Sequence, residues 1–443
     1  MERYRIASLL AATALTVVTA SPAGAQSVSE LKAMLEKLTK RIEQLEKQQL
    51  ATPVAVAPVT AADTPVAAKT PVITKAEPAF ALGTPDGRFE FNIRGRILAD
   101  AGFISDSDDT VDIRATEFRA ARLGIEGKAW KSVKYKFEAD FSGNEVDLKD
   151  AYLEYASSYG KWKFGQFKTA NSLDEQTSSR HITFLERASF TDAFGLSRNL
   201  GISYGNGGDN WTLNAGAFRG GNGVSEEDEG EIFAARVTYG GEIDGGVWML
   251  GASARYRDIG DGSLIRYRQR PHHHLSSRFI ATDRIASNDS FYGFEGAIQY
   301  GAFHAASEWG FLTADEGGAG GRDANFHGGY FEAGWFLTGE SKPLKLDKGA
   351  WDRPKVNSPL QDGGFGALQV AARFDRIDLT ADGVYGGEQD TYIIGLNWYL
   401  NRHTRFTANY SHSSIDKAFN VAANGPDGEN GVDALGLRFQ VDW

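Results

Sequence analysis

From Gly87 onward the chain alternates with a period of two, and both faces of the alternation are strongly marked. In Arg88 to Leu98, Phe89, Phe91, Ile93 and Ile97 share one face while Glu90, Asn92, Arg94 and Arg96 share the other. In Val133 to Phe141, Val133, Tyr135, Phe137, Ala139 and Phe141 alternate with Lys134, Lys136, Glu138 and Asp140. A period of two places successive side chains on opposite faces of a strand. A secreted sandwich or propeller needs an apolar inner face opposite a solvated one. These polar faces are too charged for such an interior. They fit strands that turn oil toward lipid and charge toward a wet lumen.

Sixteen such runs follow: 88–100, 116–130, 133–142, 147–157, 161–168, 198–205, 210–219, 231–240, 247–258, 290–300, 302–313, 326–338, 366–377, 389–400, 404–414 and 432–443. The even number suits closure of an antiparallel bacterial barrel. Short turns (131–132, 158–160, 206–209, 241–246, 401–403) alternate with long connections (101–115, 169–197, 220–230, 259–289, 314–325, 379–388, 415–431). That asymmetry predicts tight periplasmic turns and long external loops. The predicted fold is an all-β, 16-stranded antiparallel transmembrane β-barrel over residues 80–443, wide enough to keep an aqueous channel, so transport is the expected function. Composition agrees: 51 glycines and 12% aromatics, with only 12 prolines, suit a turn-rich β chain. The absence of cysteine excludes disulfides, thiolate metal sites and Cys nucleophiles. A net charge of −11 disfavours a nucleic-acid partner.

Ahead of the barrel lie three different segments. Residues 1–25 carry Arg3 and Arg5, an apolar stretch from Ile6 to Ala20, and Ala23-Gly24-Ala25, the pattern of a cleaved secretory signal peptide. In residues 26–50, Val28, Leu31, Leu35, Leu38, Ile42 and Leu45 form a heptad seam, which predicts a short coiled-coil helix serving as a self-association stalk or a contact with the cell wall. Residues 51–79 are Pro- and Ala-rich, with prolines at 53, 58, 65, 71 and 78, and read as a semi-extended spacer. The expected location is the outer membrane of a Gram-negative bacterium, in contact with lipid and lipopolysaccharide.

On the polar faces of the strands lie Arg94, Arg96, Arg122, Lys128, Lys134, Lys136, Lys163, Arg236, Arg255, Arg257, Arg373, Arg405 and Arg438. A basic lumen inside an acidic chain predicts a path for anions, because rings and ladders of Arg and Lys select anions and phosphate. Arginine adds planar donors that match phosphate oxygens. Glu90, Glu126, Glu138, Asp140 and Glu154 share these faces, so a general porin stays open as a reading.

The run Gly165-Gln166-Phe167-Lys168, then Ser172 to Arg180 (SLDEQTSSR), Ile182 to Arg187 (ITFLER) and Arg198 to Ile202 (RNLGI), resembles the third-loop region of the phosphate-selective porin O and P family. Arg94-Gly95-Arg96, Arg122 to Gly127 (RLGIEG), Asp150 to Tyr155 (DAYLEY), Phe336 to Glu340 (FLTGE) and Thr391 to Leu400 (TYIIGLNWYL) extend the likeness over residues 88–443. The resemblance implies a homotrimeric anion channel whose third loop folds into the barrel and narrows it. It nominates Arg94, Arg96, Arg119, Arg122, Lys168, Arg180, Arg187 and Arg198 for contact with phosphate or related oxyanions such as pyrophosphate and polyphosphate. Arg119-Ala120-Ala121-Arg122 departs from the family's paired arginines followed by tyrosine, and organic anions remain an alternative cargo.

His272-His273-His274, among Arg266, Arg268, Arg270 and Arg278, reads as a solvated basic external loop that collects anions or binds lipopolysaccharide phosphate, because consecutive histidines do not converge on a metal. The long connection 339–365, with Lys342, Lys345, Lys348, Arg353 and Lys355, is expected to fold into the periplasmic vestibule. No nucleophile–base spacing, cofactor motif or metal-ligand set stands out, so no enzymatic activity and no cofactor are expected. A structural tether between membrane and cell wall is the rival reading.

Overall fold

The computed structural model describes residues 36–37, 40, 72–75, 79, 81–220, 229–260, 263–381 and 383–443. The chain divides into two compact units, Met1–Ala68 and Lys69–Trp443. In the first, Glu36, Lys37 and Lys40 are helical and Lys40 pairs with Glu36 at 3.1 Å. The expected signal peptide and the seam positions of the expected coil lie outside the described residues.

In the second unit, sixteen antiparallel strands close into a barrel among the described residues: β1 (Glu90–Asp106), β2 (Asp112–Ala129), β3 (Val133–Asp140), β4 (Asp147–Ser157), β5 (Gly160–Lys168), β6 (Arg198–Gly207), β7 (Trp211–Arg219), β8 (Glu231–Ile243), β9 (Gly246–Asp258), β10 (Asn288–Tyr300), β11 (Phe303–Ala314), β12 (Ala324–Phe336), β13 (Ala367–Ala381), β14 (Val384–Tyr399), β15 (Thr404–Asp416) and β16 (Asn430–Asp442). Closure is made by β16 on β1, with Val432 opposite Asp106 and Asp442 opposite Arg96. Trp443 and Gly95 then exchange backbone hydrogen bonds of 3.1 and 3.2 Å. A closed sheet leaves no unpaired edge, which a lipid environment requires.

The strands depart from the alternation reading mainly at the external end. The expected long connections 101–115 and 379–388 shrink to 107–111 and 382–383. Above the membrane a strand has no need of an apolar outer face, so outward Ser105, Arg114, Asp378 and Glu388 erase the pattern while the ladder continues, as Ser105 opposite Asp112 and Ala381 opposite Val384 show. The expected spacer also differs near its end. Val72–Lys75 forms a strand against Ala81–Gly83, which in turn pairs with the start of β1. Pro71 and Pro78 bracket this β-branched stretch and leave its interior free to donate hydrogen bonds.

The outer wall is apolar and exposed: Phe118, Leu250, Phe294 and Ile394 all stand open on it. At the short-turn end, Trp162 with Tyr204, Phe303 with Trp335, and Phe365 with Trp398 form aromatic pairs of the kind that sit at a membrane interface. Inside, the barrel is not uniformly open. Residues 169–197, a hairpin of Ile265–Gln269 with Ile280–Ala286, and residues 337–366 all turn inward. They pack Leu173, Phe190, Phe194, Tyr267, Phe279 and Trp351 against Phe291, Phe326 and Tyr330 on the inner wall of β10 and β12. Each such side chain contributes roughly 1.5–3 kcal/mol of burial. One side of the lumen is therefore a packed core, and water is left the other side.

Candidate functional site

The third loop, residues 169–197, crosses the lumen and is pinned to the far wall by its backbone. Leu173 N and Asp174 N, at the start of a one-turn helix α1 (Leu173–Gln176), donate to Glu308 at 2.8 and 2.6 Å. Further along, Arg405 and Asn397 donate to the carbonyls of Ile182 and Thr183 at 2.8 and 2.9 Å. Leu185 donates to Asn409 at 2.8 Å and accepts from Arg438 at 2.6 Å. Phe190 stacks on Phe291, with ring planes 8° apart. The loop's phenylalanines thus face the packed half, and its basic groups face the opposite wall.

Between the loop and the wall of β1 to β5 lies a cavity of about 760 Å³. Among the described residues, fourteen Lys and Arg side chains line it against four carboxylates, Asp150, Glu175, Glu186 and Asp192. All eight residues nominated for anion contact, Arg94, Arg96, Arg119, Arg122, Lys168, Arg180, Arg187 and Arg198, stand in this lining. Lys136, Lys163 and Arg438 of the wider lumen set join them.

Buried carboxylates stand behind the cations and aim them. Glu138, only 1% exposed, lies 3.3 Å from each of Arg94, Arg96 and Arg122. Asp140 holds Arg122 at 2.7 Å, and Asp150 holds Arg198 at 2.8 Å and also binds Lys136. Glu186 clamps Arg119 through two bonds of 2.9 Å. Burial works against ionisation of Glu186, yet Arg119 beside it keeps its carboxyl well below the usual range. Lys168 and Arg187 are tied to the loop itself: Lys168 to Glu175 at 3.1 Å and to the Glu175 carbonyl, Arg187 to Glu175 at 2.8 Å and to the Thr177 carbonyl at 2.9 Å. Arg180 is the least engaged. Burial first, and then repulsion from Arg94, lowers its proton affinity below the ordinary arginine value.

The remaining lumen cations point inward, as alternation predicts, but most do not face the cavity. Arg236 pairs with Glu295 and donates to the Gly349 carbonyl at 2.7 Å. Arg255 and Arg257 share Asp289, Arg373 pairs with Glu332, and Arg405 supports the loop. These five lie under the inserted segments. Lys134 pairs with Glu154 at 3.4 Å near the periplasmic end.

Two β-bulges decide residues that alternation alone misplaces. At Arg119 the register slips, Leu98 facing Ala120 and Ala99 facing Phe118, so Arg119 and Ala120 both turn inward and Phe118 stays outside. At Lys149 a second slip sets Glu138 opposite Asp150 and Ala139 opposite Leu148, and brings Lys149 to the cavity. Sequence reading missed Lys149; the adjacent charges Lys149-Asp150 in an alternating run were the available signal. The external connection 259–289 is no solvated loop. Its hairpin enters the barrel mouth and adds Arg270, Arg278 and His272 to His274 to the lining, with His272 and His273 buried. Ser189 Oγ and Asp375 Oδ1 both approach the same His272 nitrogen, Nε2, at 2.9 and 3.2 Å. A proton relay needs the hydroxyl and the acid on opposite ring nitrogens, so this grouping is a latch between hairpin, loop and wall.

A closed sixteen-stranded barrel with an apolar exterior and a loop-narrowed, charged interior is an outer-membrane porin, a channel and not an enzyme. The family model for phosphate-selective porin O and P matches residues 91–443. An uncharacterized protein of Caulobacter vibrioides is 32% identical, over 94% of this chain and 89% of its own length. Porin O of Pseudomonas aeruginosa is 28% identical, over 81% of this chain and 90% of its own. Among solved structures, the anion-selective porin from Comamonas acidovorans has the same fold, with a TM-score of 0.53 at 12% identity over 80% of this chain and all of that one. The chain belongs to the phosphate-selective porin O and P family.

Proposed function

We propose that the channel is anion-selective, passes phosphate or related oxyanions such as pyrophosphate and polyphosphate, and works as a homotrimer. The observation that carries this reading is the lining of the cavity, fourteen cations against four carboxylates among the described residues, with further acids buried behind. Guanidinium groups aimed by buried acids present planar donors to an anion without reorganising, and in a narrow passage their field is weakly screened. Arg266 and Arg270 on the mouth hairpin are held by the Thr282 and Ser276 carbonyls, both at 2.9 Å, so their charge remains available to draw anions in or to meet lipopolysaccharide phosphate. Support also comes from the family's description and from the anion selectivity named for the Comamonas porin. Export by a cleaved signal peptide, and a coiled coil that self-associates or reaches the cell wall, belong to the same proposal.

The test is the reversal potential of the purified protein in a salt gradient, followed by inorganic phosphate block of the chloride current. We expect anion preference, phosphate block, and weaker block in Arg180→Ala. A cation-selective reversal potential would overturn the reading. Phosphate block that survives in Arg180→Ala would move the binding site to the strand arginines. Deleting residues 26–79 should leave conductance unchanged; its loss would overturn the reading of the coil and spacer as a module separate from the channel.

A further inference from the structure

We propose that Arg353, in the periplasmic connection 337–366, is a positioning residue that keeps Arg180 free for anions by occupying Asp442, the one carboxylate within ion-pair distance of Arg180 among the described residues. The proposal rests on the anion-channel reading above. Asp442, the penultimate residue, has a fully buried side chain whose Oδ1 attracts three donors. Arg353 pairs with it from the periplasmic side, and its other nitrogen is tied to the Arg402 carbonyl. His403 Nδ1 lies 3.3 Å away. Arg180 approaches the same oxygen from the loop at 3.6 Å, beyond hydrogen-bond length. Oδ2 is occupied by Gln440 Nε2 at 3.2 Å.

Arg180 is consequently left with Ser178 Oγ at 3.4 Å as its side-chain partner. A buried carboxylate stripped of its partner is strongly unfavourable and pairs with the nearest available cation. His403 already holds its place at 3.3 Å, so without Arg353 the nearest guanidinium to fill the gap is Arg180, which needs to close only roughly 0.8 Å to reach charge-assisted hydrogen-bond length. Paired in that way, Arg180 gives up donors and much of its field toward the cavity. The periplasmic connection therefore sets how firmly the constriction holds an anion, without touching the anion itself.

Inorganic phosphate block of the chloride current tests this in single channels of the full-length protein. Arg180→Ala and Arg353→Ala should each weaken the block about tenfold, the scale of one hydrogen bond to a charged group. Arg353→Lys should keep most of it. Adding Asp442→Asn to Arg353→Ala should restore it to within about twofold, a repair that mere structural damage would not allow. Wild-type block in Arg353→Ala, with block lost in Arg180→Ala, would overturn the proposal and leave the anion-channel reading intact, as would a double variant no better than Arg353→Ala. No phosphate block in the wild type would overturn the proposal together with the phosphate part of that reading, and a cation-selective reversal potential would overturn both. Should Arg353→Ala not be recovered as a folded barrel, Arg353→Gln decides, since it removes the charge and keeps most of the side chain: weakened block is expected, and wild-type block overturns the proposal.

Discussion

The two sides of the lumen carry the same residue type in the same orientation and use it differently. On the β1 to β5 side, Arg94, Arg96 and Arg122 have Glu138 behind them and the cavity in front. On the β8 to β15 side, Arg236, Arg255, Arg373 and Arg405 have partners behind and an inserted segment on top. Arg373 is the extreme case, paired with Glu332 and lying 4.9 and 4.5 Å from the Phe184 and Tyr330 rings. One row makes a field for a passing ion, and the other fixes the loop that shapes the passage. What separates them is whether anything covers the guanidinium, and that is a tertiary fact.

The largest effect should come from the covered row. Arg373→Ala takes the nearest guanidinium from Glu332 and Asp174 in the packed half, at a cost of about 3–5 kcal/mol. Loss of the compact, heat-resistant barrel on gel electrophoresis, with little recoverable channel, is the expected outcome; a fully stable channel would erase the distinction between the rows. Next is the open row. Arg122→Glu should leave the barrel folded but move the chloride-to-potassium permeability ratio toward cations by about tenfold, and an unmoved reversal potential would place Arg122 away from the narrow passage.

A smaller effect concerns the clamp joining loop to open row. Because Arg119 depresses the Glu186 carboxyl despite its burial, the stabilisation from this pair is fully present above the ordinary Glu value of 4.5 and is lost as pH falls through the depressed one. The difference in thermal stability between wild type and Glu186→Gln should therefore persist from pH 7 down to 4.5 and close only below that. Convergence at pH 5 or higher would mean the clamp does not hold the loop. The smallest effect belongs to the mouth: Arg278→Ala should reduce chloride current at low salt and leave it unchanged at high salt, where its field is screened. Equal loss at both salts would assign Arg278 to the constriction.

Alternation made the barrel legible because lipid demands an apolar outer face wherever the strand lies in the membrane. It failed where that demand stops, at the external ends of β1, β2, β13 and β14, and at the Arg119 and Lys149 bulges, where one extra residue resets the period. The third loop's inward fold was implied by the family resemblance, and its physical mark is the burial of Phe184, Leu185, Phe190 and Phe194, which a 29-residue solvated loop would not carry. The pairing of each arginine was not. Asp289 serves both Arg255 and Arg257, and nothing in the spacing of the three residues announces it.

The contacts that hold the third loop bear on the order in which the molecule matures. Arg438 grips the Leu185 carbonyl and Gln440 the Arg180 carbonyl, and both belong to the strand that closes the barrel, more than 250 residues further along the chain. Contacts so distant in sequence are slow to form, since a long loop must be closed before they stabilise anything. The seam and the gate are thus completed by the same strand. A nascent sheet that has not yet captured its last strand has neither, and the sieve is finished only at the moment the wall becomes watertight.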